Sequence, residues 1–505
     1  MLLTVDIGTS TFKAALFACD GTCLRLAAIP LGIVLGGDRG HEADPAAWLE
    51  AFHNALDRLG PLGETEALII SGNGPTLVPV TGEPGWTEGP GAPRLRLPAA
   101  SARLWLDRRA GEESNAVSAL AGGYVDPSFF LPKALWVRNH EPRLYEETRY
   151  FLSSPEFLAY ALTGEARTIF PSRGFERWFW TADILAALDL DPARFPPFVF
   201  PGETIGEISA AAARAWGFPR GLQVIAGGPD FFVSILGTGV TSPGQACDRS
   251  GTSEGINLCT RERVMDGRLM SYAHPIDPCW NLSGIISTTG KAVAWARELL
   301  GIGDRRFDEF YRLAASAKAG SGGLVFLPYL AGERAPLWDP AARGVLAGLS
   351  LATGRGELAR AVVEGAALAI RDVVAVMEEC GCPVGELRIT GGPAESGFFN
   401  QVKADVCGRP FLLPVQREAE LLGLAIIGAV ALKKYGTRKE AAEALVKIER
   451  TFAPREEYRS LYAGIFDRYR AAYRALKTQF REAAGGPGGI PADNPPTTPG
   501  GAETA

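Results

Sequence analysis

DIGTSTFK, residues 6–13, lies between two short apolar stretches at the head of the chain, LLTVDI and FKAALFA. An acid, a glycine, three hydroxyls and a lysine between two strand-like runs read as a tight hairpin loop. Glycine lets backbone N–H groups approach an anion, and the hydroxyls of Thr9, Ser10 and Thr11 add donors, so such a loop can hold phosphate oxygens. At the strand end Asp6 can take a magnesium ion directly or through water, and Lys13 can neutralise phosphate charge. A plain β-hairpin, in which glycine and threonine serve geometry alone, accounts for the same string.

Downstream, CLRLAAI after the Asp20-Gly21 turn adds a third strand, which gives a β-meander. DPAAWLEAFHNALDRLG then predicts a helix, with Asp44 as N-cap, Pro45 in its first turn and Trp48, Leu49, Phe52 and Leu56 on one face. ALIISGNGP comes next as a buried strand ending in a glycine turn. A meander followed by βα units predicts an α/β fold, a mixed sheet with helices on its faces. The opening has an echo: QACDRSGTSEGINLCT repeats GTS at 251–253 between Asp248 and an apolar run, almost half the chain away. The expected organisation is two domains of related design, 1–246 and 247–484, with a hinge near 244–252. The segment 485–505, GGPGGIPADNPPTTPGGAETA, has almost nothing to bury and reads as a disordered tail.

Composition narrows the partners. The 505 residues are 47% hydrophobic, enough for two large cores with a cleft between them. A formal charge of −6 and dispersed basic residues leave no footprint for nucleic acid or an anionic membrane. A small-molecule substrate fits better. The N-terminus lacks a basic n-region and its apolar run is cut by Asp6 and Lys13, unlike a signal peptide. Leu421–Leu432 is too short to span a bilayer and reads as a core helix. Eight cysteines without paired CxxC arrays read as reduced thiols, which points to a cytoplasmic protein.

Two further strand-to-helix turns carry candidates. In GLQVIAGGPDFFVSILGTG, Asp230 comes after a buried strand at a helix start, suited to a general base but equally to an N-cap. In ELRITGGPAESGFFNQ, Gly391 and Gly392 permit close approach of a ring or phosphate, and Ser396 can cap the next helix or touch a ligand. FLPYLAGERAPLWDPAARGVLAGLS, from Phe326 to Ser350, reads from composition as a solvated loop with ion pairs among Glu333, Arg334, Asp339 and Arg343.

Together these elements resemble the FGGY family of carbohydrate kinases, within the sugar kinase and actin-like ATPase superfamily, most closely its xylulose kinase-like branch. DIGTSTFK matches the family's first phosphate loop, LWLDRRA its W-x-D-x-R segment, and SGTS its second phosphate loop. GERAPLWDPAARG with the helix after it, TGGPAES and KADVCGRP match its C-terminal motifs. The resemblance implies two ribonuclease H-like (actin-like ATPase) domains with an interdomain cleft, and transfer of a phosphoryl group from ATP with Mg2+ to a small ketose or polyol. It implies Asp230 as catalytic base and Asp6 as the magnesium residue. Gly8, Thr9, Ser10, Thr11, Lys13, Gly251, Thr252, Gly290, Gly391, Gly392 and Ser396 would contact ATP. Asn73, Gly74, Trp105, Asp107, Arg109, Asp230 and Phe231 would contact the acceptor. A homodimer is the assembly the family suggests, with no interface located.

The acceptor side departs from xylulose kinases. Their SGQMHG is SGNGPT here, which puts Gly74 and Pro75 at two pocket positions, and the polar residue after the base is Phe231. SRGFERWFWTAD is aromatic where relatives carry small residues, so Trp178 and Trp180 either wall the acceptor site or pack in the interior. Losing polar contacts costs affinity for a polyhydroxylated substrate. The preferred acceptor is then another ketose or polyol, or one with a more apolar end. Two rival readings are an actin-like ATPase switch acting on a protein, and a catalytically inactive sugar- or nucleotide-binding relative.

Overall fold

The computed structural model describes residues 1–32, 34–35, 40–87, 94–172, 174–303 and 306–485. The segment 486–505, most of the expected tail, lies outside the described residues, and Gly485 is the last residue of the helix Arg459–Gly485. The chain divides into two compact units. Among the described residues the first comprises Met1–Gly239 and Glu418–Val446, and the second Val240–Arg417 and 447–485. The sequence-based boundary at 246/247 falls a few residues after this division. The return of Glu418–Val446 to the first unit has no counterpart in that reading.

In the first unit, β1 (Leu2–Ile7), β2 (Thr11–Phe17) and β3 (Cys23–Pro30) form the expected antiparallel meander. The helix Pro45–Leu59 comes next, with the Asp44 carboxylate accepting from Ala46 N at 2.9 Å and Trp48, Leu49, Phe52 and Leu56 all buried. β4 (Ala67–Gly72) pairs parallel to β1. β5 (Thr204–Glu207) and β6 (Gln223–Pro229) complete a six-stranded sheet in the order β5-β6-β4-β1-β2-β3, with β6 parallel to β4. β1 and β4 are buried along their whole length, as strands covered on both faces must be. The expected core helix spans Ala419–Ala431 and packs on β1 and β4.

The second unit repeats the plan. β7 (Gln245–Ser250) and β8 (Glu254–Thr260) form a hairpin around Gly251-Thr252-Ser253. With β9 (Met270–Ala273), β10 (Trp280–Ile286), β11 (Glu386–Thr390), β12 (Phe411–Pro414) and β13 (Ile448–Phe452) they form a sheet ordered β9-β10-β8-β7-β11-β12-β13. β7, β8 and β10 are antiparallel neighbours, and β11 and β12 run parallel to β7. The string β3-β2-β1-β4-β6 in one unit therefore corresponds strand for strand to β10-β8-β7-β11-β12 in the other. The recurrence of GTS reflects a duplicated sheet.

All eight cysteines are free thiols. Among the described residues no helix is long and apolar enough to cross a membrane. The stretch holding Glu333 and Asp339 is not the solvated loop its composition suggests, since both carboxylates are 4% exposed. Glu333 accepts from the backbone N–H of Ser287 (2.7 Å) and of Arg334 (2.8 Å), and burial pushes its carboxyl up to about 7. Asp339 accepts from the Tyr473 hydroxyl at 2.7 Å.

Candidate active site

Register decides what meets in the first unit. Ile7 pairs with Gly72, and Gly72 pairs with Pro229, so three parallel strands end level with one another. The next residues are Gly8, Asn73 and Asp230. Carboxyl ends of adjacent parallel strands are where open α/β sheets bind ligands. Asp6 is 5% exposed and accepts from Ser71 Oγ at 2.6 Å. Burial, then the charges of Glu420 and Asp230, push its carboxyl up to about 7. Asp230 is the first residue of the helix Asp230–Gly237, whose N-cap is Pro229, so it does not serve as the cap. Its Oδ1 accepts from the Phe231 N–H at 2.6 Å.

The first loop is built as the hairpin reading requires. Gly8 N donates to Thr11 O at 3.1 Å, Leu31 N donates to Ser10 O at 2.9 Å, and Thr9 Oγ1 accepts from Trp105 Nε1 at 2.9 Å. Trp105 thereby fastens the W-x-D-x-R segment to the loop. Lys13 is paired with Glu418, which raises its pKa against the effect of burial, and Glu420 and Asp6 act in the same sense. Neither Glu418 nor Glu420 is a sequence candidate, because each reads as an ordinary acid at the start of an apolar helix. Asp107 is fully buried and accepts from His41 N and Arg109 N (3.1 Å each) and from Arg109 Nε. Arg109 Nη2 also reaches Glu42 at 2.7 Å, and its guanidinium stands over the Trp136 ring at 4.9 Å. Asn73 is buried, with Oδ1 accepting from Thr76 Oγ1 at 2.5 Å and Nδ2 lacking a partner. Gly74 opens the turn to Pro75 beside Pro229.

The aromatic segment packs and also reaches Phe231, the neighbour of Asp230. Trp180 sits among Phe195 and Phe198, at 5.1 and 5.4 Å between ring centroids. Trp178, by contrast, belongs to a series of rings that begins at Phe231.

In the second unit a cavity of about 660 Å3 is lined by the second hairpin loop and two helix starts. Gly251, Thr252, Gly290, Gly392 and Ser396 all border it, as does Tyr311. A Cβ on Gly290 would lie 2.0 Å from Gly251 O, which is how closely the helix Thr289–Leu299 abuts the loop. Gly391 does not line the cavity. Its φ is +90°, and a Cβ there would meet Ser250 O at 1.8 Å, so it seats the turn against the loop stem, while Gly392 faces open space. Ser396 caps the helix Gly397–Cys407, its Oγ accepting from Phe399 N at 3.2 Å.

Beneath the loop lies an ionic cluster that the sequence did not disclose. Lys403, 0% exposed, donates to Asp248 Oδ2 and Ser250 Oγ (2.7 Å each) and to Glu254 Oε1 (2.5 Å), so one ammonium ties both stems of the hairpin. Burial and the neighbouring Glu254 charge raise Asp248 well above the usual carboxylate range. Burial opposes ionisation of Glu254 too, yet Lys403 holds it below its ordinary value. KADVCGRP thus acts through the footing of the second hairpin loop rather than through the cavity surface.

Magnesium fits this donor set in one way. Among the described residues no three His, Cys, Asp or Glu side chains stand close enough to hold a metal ion by themselves. Asp6, buried within charge range of Glu420 and Asp230, is a carboxylate that would suit an ion carrying mostly water and phosphate ligands.

Comparison with known proteins agrees with this anatomy. Residues 99–237 match the N-terminal domain and residues 249–432 the C-terminal domain of the FGGY family of carbohydrate kinases, together well over half of the chain. A xylulose kinase of Staphylococcus epidermidis is 27% identical, covering 94% of this chain and 97% of its own. A glycerol kinase of Trichlorobacter lovleyi is 29% identical, covering 90% and 94%. The crystal structure of xylulose kinase from Rhodospirillum rubrum superposes with a TM-score of 0.77 at 26% identity, over 95% of this chain and 99% of that one. The chain belongs to the FGGY family of carbohydrate kinases.

Proposed function

We propose that this protein transfers the terminal phosphoryl group of ATP to a hydroxyl of a small ketose or polyol, with Asp230 as base. The observation that carries the proposal is Asp230 standing within charge range of the buried Asp6, beside the hairpin loop 8–10, where three parallel strands end level. The second unit supplies the matching loop and a cavity of about 660 Å3, within the size range of small-molecule sites. The relatives named xylulose kinase and glycerol kinase give the acceptor class.

In this reading Asp230 accepts the proton as the acceptor oxygen bonds to the γ-phosphorus. The bond from that phosphorus to the bridging oxygen breaks, and ADP leaves with the electron pair. Phosphoryl transfer has a loose transition state, so the protein's task is alignment and charge stabilisation. A magnesium ion at Asp6 would supply charge neutralisation of the phosphates. Thr9, Thr11 and Lys13 would face the phosphates of the bound nucleotide, and Thr252 with the Gly251 backbone would hold its transferring end. Gly392 and Ser396 would border the adenosine.

The test is ADP release with ATP and magnesium over a panel of ketoses and polyols. Sugar-stimulated turnover that Asp230→Ala abolishes supports the kinase. Sugar-independent hydrolysis retained in that variant would instead favour an ATPase switch, and ATP binding without turnover an inactive relative. A homodimer, which the family resemblance suggests, is read from light scattering of the same sample.

A further inference from the structure

The groups assigned to hydroxyl recognition are largely committed to one another. Trp105 Nε1 is spent on Thr9, both oxygens of Asp107 accept from Arg109 or His41, and Arg109 Nη2 is shared between Asp107 and Glu42. Asn73 keeps one buried donor, Nδ2, without a partner. The adjoining turn, Gly74-Pro75, offers no polar side chain.

Hydrocarbon begins at the residue after Asp230. Phe231, next to Asp230 and half-buried, stacks on Phe175 with centroids 6.0 Å apart and planes inclined by 28°. Phe175 meets Trp178 edge-on at 5.3 Å, and Trp178 stacks on Phe129 at 5.6 Å and 20°. Phe129, Trp178 and Phe231 each keep part of their surface accessible, whereas Phe175 is buried between its neighbours. This makes a continuous aromatic ledge starting at the residue after the base.

Resting on the kinase reading above, we infer that the acceptor carries hydroxyls only near the reacting end and is deoxygenated at the other, as in a ketose or polyol ending in a methyl or short alkyl group. A fully hydroxylated chain laid against these ring faces would lose hydration from hydroxyls that an aromatic face cannot pair, and such unpaired groups are what a site rejects most strongly. A methyl end gives up nothing and gains aromatic contact.

The decisive pair is D-xylulose and 1-deoxy-D-xylulose, which differ by one oxygen at the end distant from C5. Wild-type protein is expected to show kcat/KM for the deoxy sugar about 10-fold or more above that for D-xylulose. Phe231→Asn narrows or inverts that ratio, chiefly through KM, while Phe231→Leu, which stays apolar, keeps its direction. Circular dichroism verifies that both variants are folded. Preference for D-xylulose in the wild type, or a ratio that Phe231→Asn leaves unmoved, overturns the inference while leaving the kinase intact. Failure of both sugars and of the whole panel would remove the kinase reading and this inference together.

Discussion

Replacing Lys403 by methionine keeps the volume of the side chain and removes its charge. Two carboxylates, Asp248 and Glu254, then remain in a fully buried site with Ser250 as their common neighbour. Burial opposes ionisation of both Asp248 and Glu254, and Lys403 is the cation that favours their charged forms, so its removal leaves a buried carboxylate without its counter-ion. Removing one partner of a buried pair costs about 3–5 kcal/mol. Urea unfolding followed by tryptophan fluorescence should shift by that amount. Glu254→Gln should cost less, about 1–2 kcal/mol, because Asp248 can ionise in its place and keep Lys403 paired. The double variant should be more stable than Lys403→Met alone, since it no longer buries an unpaired charge. A second readout concerns the loop. The cluster ties together Ser250 and Glu254, which flank Gly251-Thr252-Ser253, so Lys403→Met should raise the KM for ATP about 10-fold while leaving the acceptor KM unchanged. A Lys403→Met protein within about 1 kcal/mol of wild type, or one whose acceptor KM rises with that for ATP, refutes the reasoning.

Gly391 and Gly392 should separate cleanly: Gly391→Ala must push against Ser250 O and adopt a left-handed conformation, losing about 3 kcal/mol or more. Gly392→Ala should fold normally and raise the KM for ATP, because its methyl projects into open space beside the cavity. Trp105→Phe deletes the hydrogen bond to Thr9 and should lower kcat/KM about 10-fold by loosening the first loop against the W-x-D-x-R segment, measured by steady-state kinetics. Lys133, fully buried, donates to Pro75 O (2.8 Å), Arg103 O (3.2 Å) and Leu104 O (2.6 Å), and burial pulls its pKa down to about 7, with Asp107 opposing. Between that value and the ordinary 10.5 the unfolded chain holds a proton that the folded protein has released. Stability relative to Lys133→Met should therefore rise with pH from about 7 to 10, by up to ~1.4 kcal/mol per unit, in urea titrations at stepped pH.

What could be read from the sequence is what local chemistry determines. Turn residues and alternation identify β1–β2 and β7–β8, and Asp44-Pro45 marks a helix start, because each signal lies within a few residues of its effect. Ser396 as a cap is legible for the same reason, whereas Gly391, read as room for a ring or phosphate, instead seats the turn against Ser250 O. Glu418 beside Lys13, Glu420 near Asp6 and Lys403 under the second loop are not, because each contact spans from about 150 to about 400 residues of chain. The burial of Glu333 was also hidden, since its partners are backbone N–H groups that leave no mark on composition. The position of Asp230 stands between these extremes. Nothing near it in sequence separates a base from a cap, yet three parallel strands ending at Ile7, Gly72 and Pro229 allow only one arrangement of the residues immediately beyond them. With that register fixed, the loop opened by Gly8, Asn73 and Asp230 share one sheet edge; β6 is buried on both faces, so a one-residue slip would exchange the side chains packed on its two sides, and the placement of the acid is enforced by the same packing that holds the sheet together.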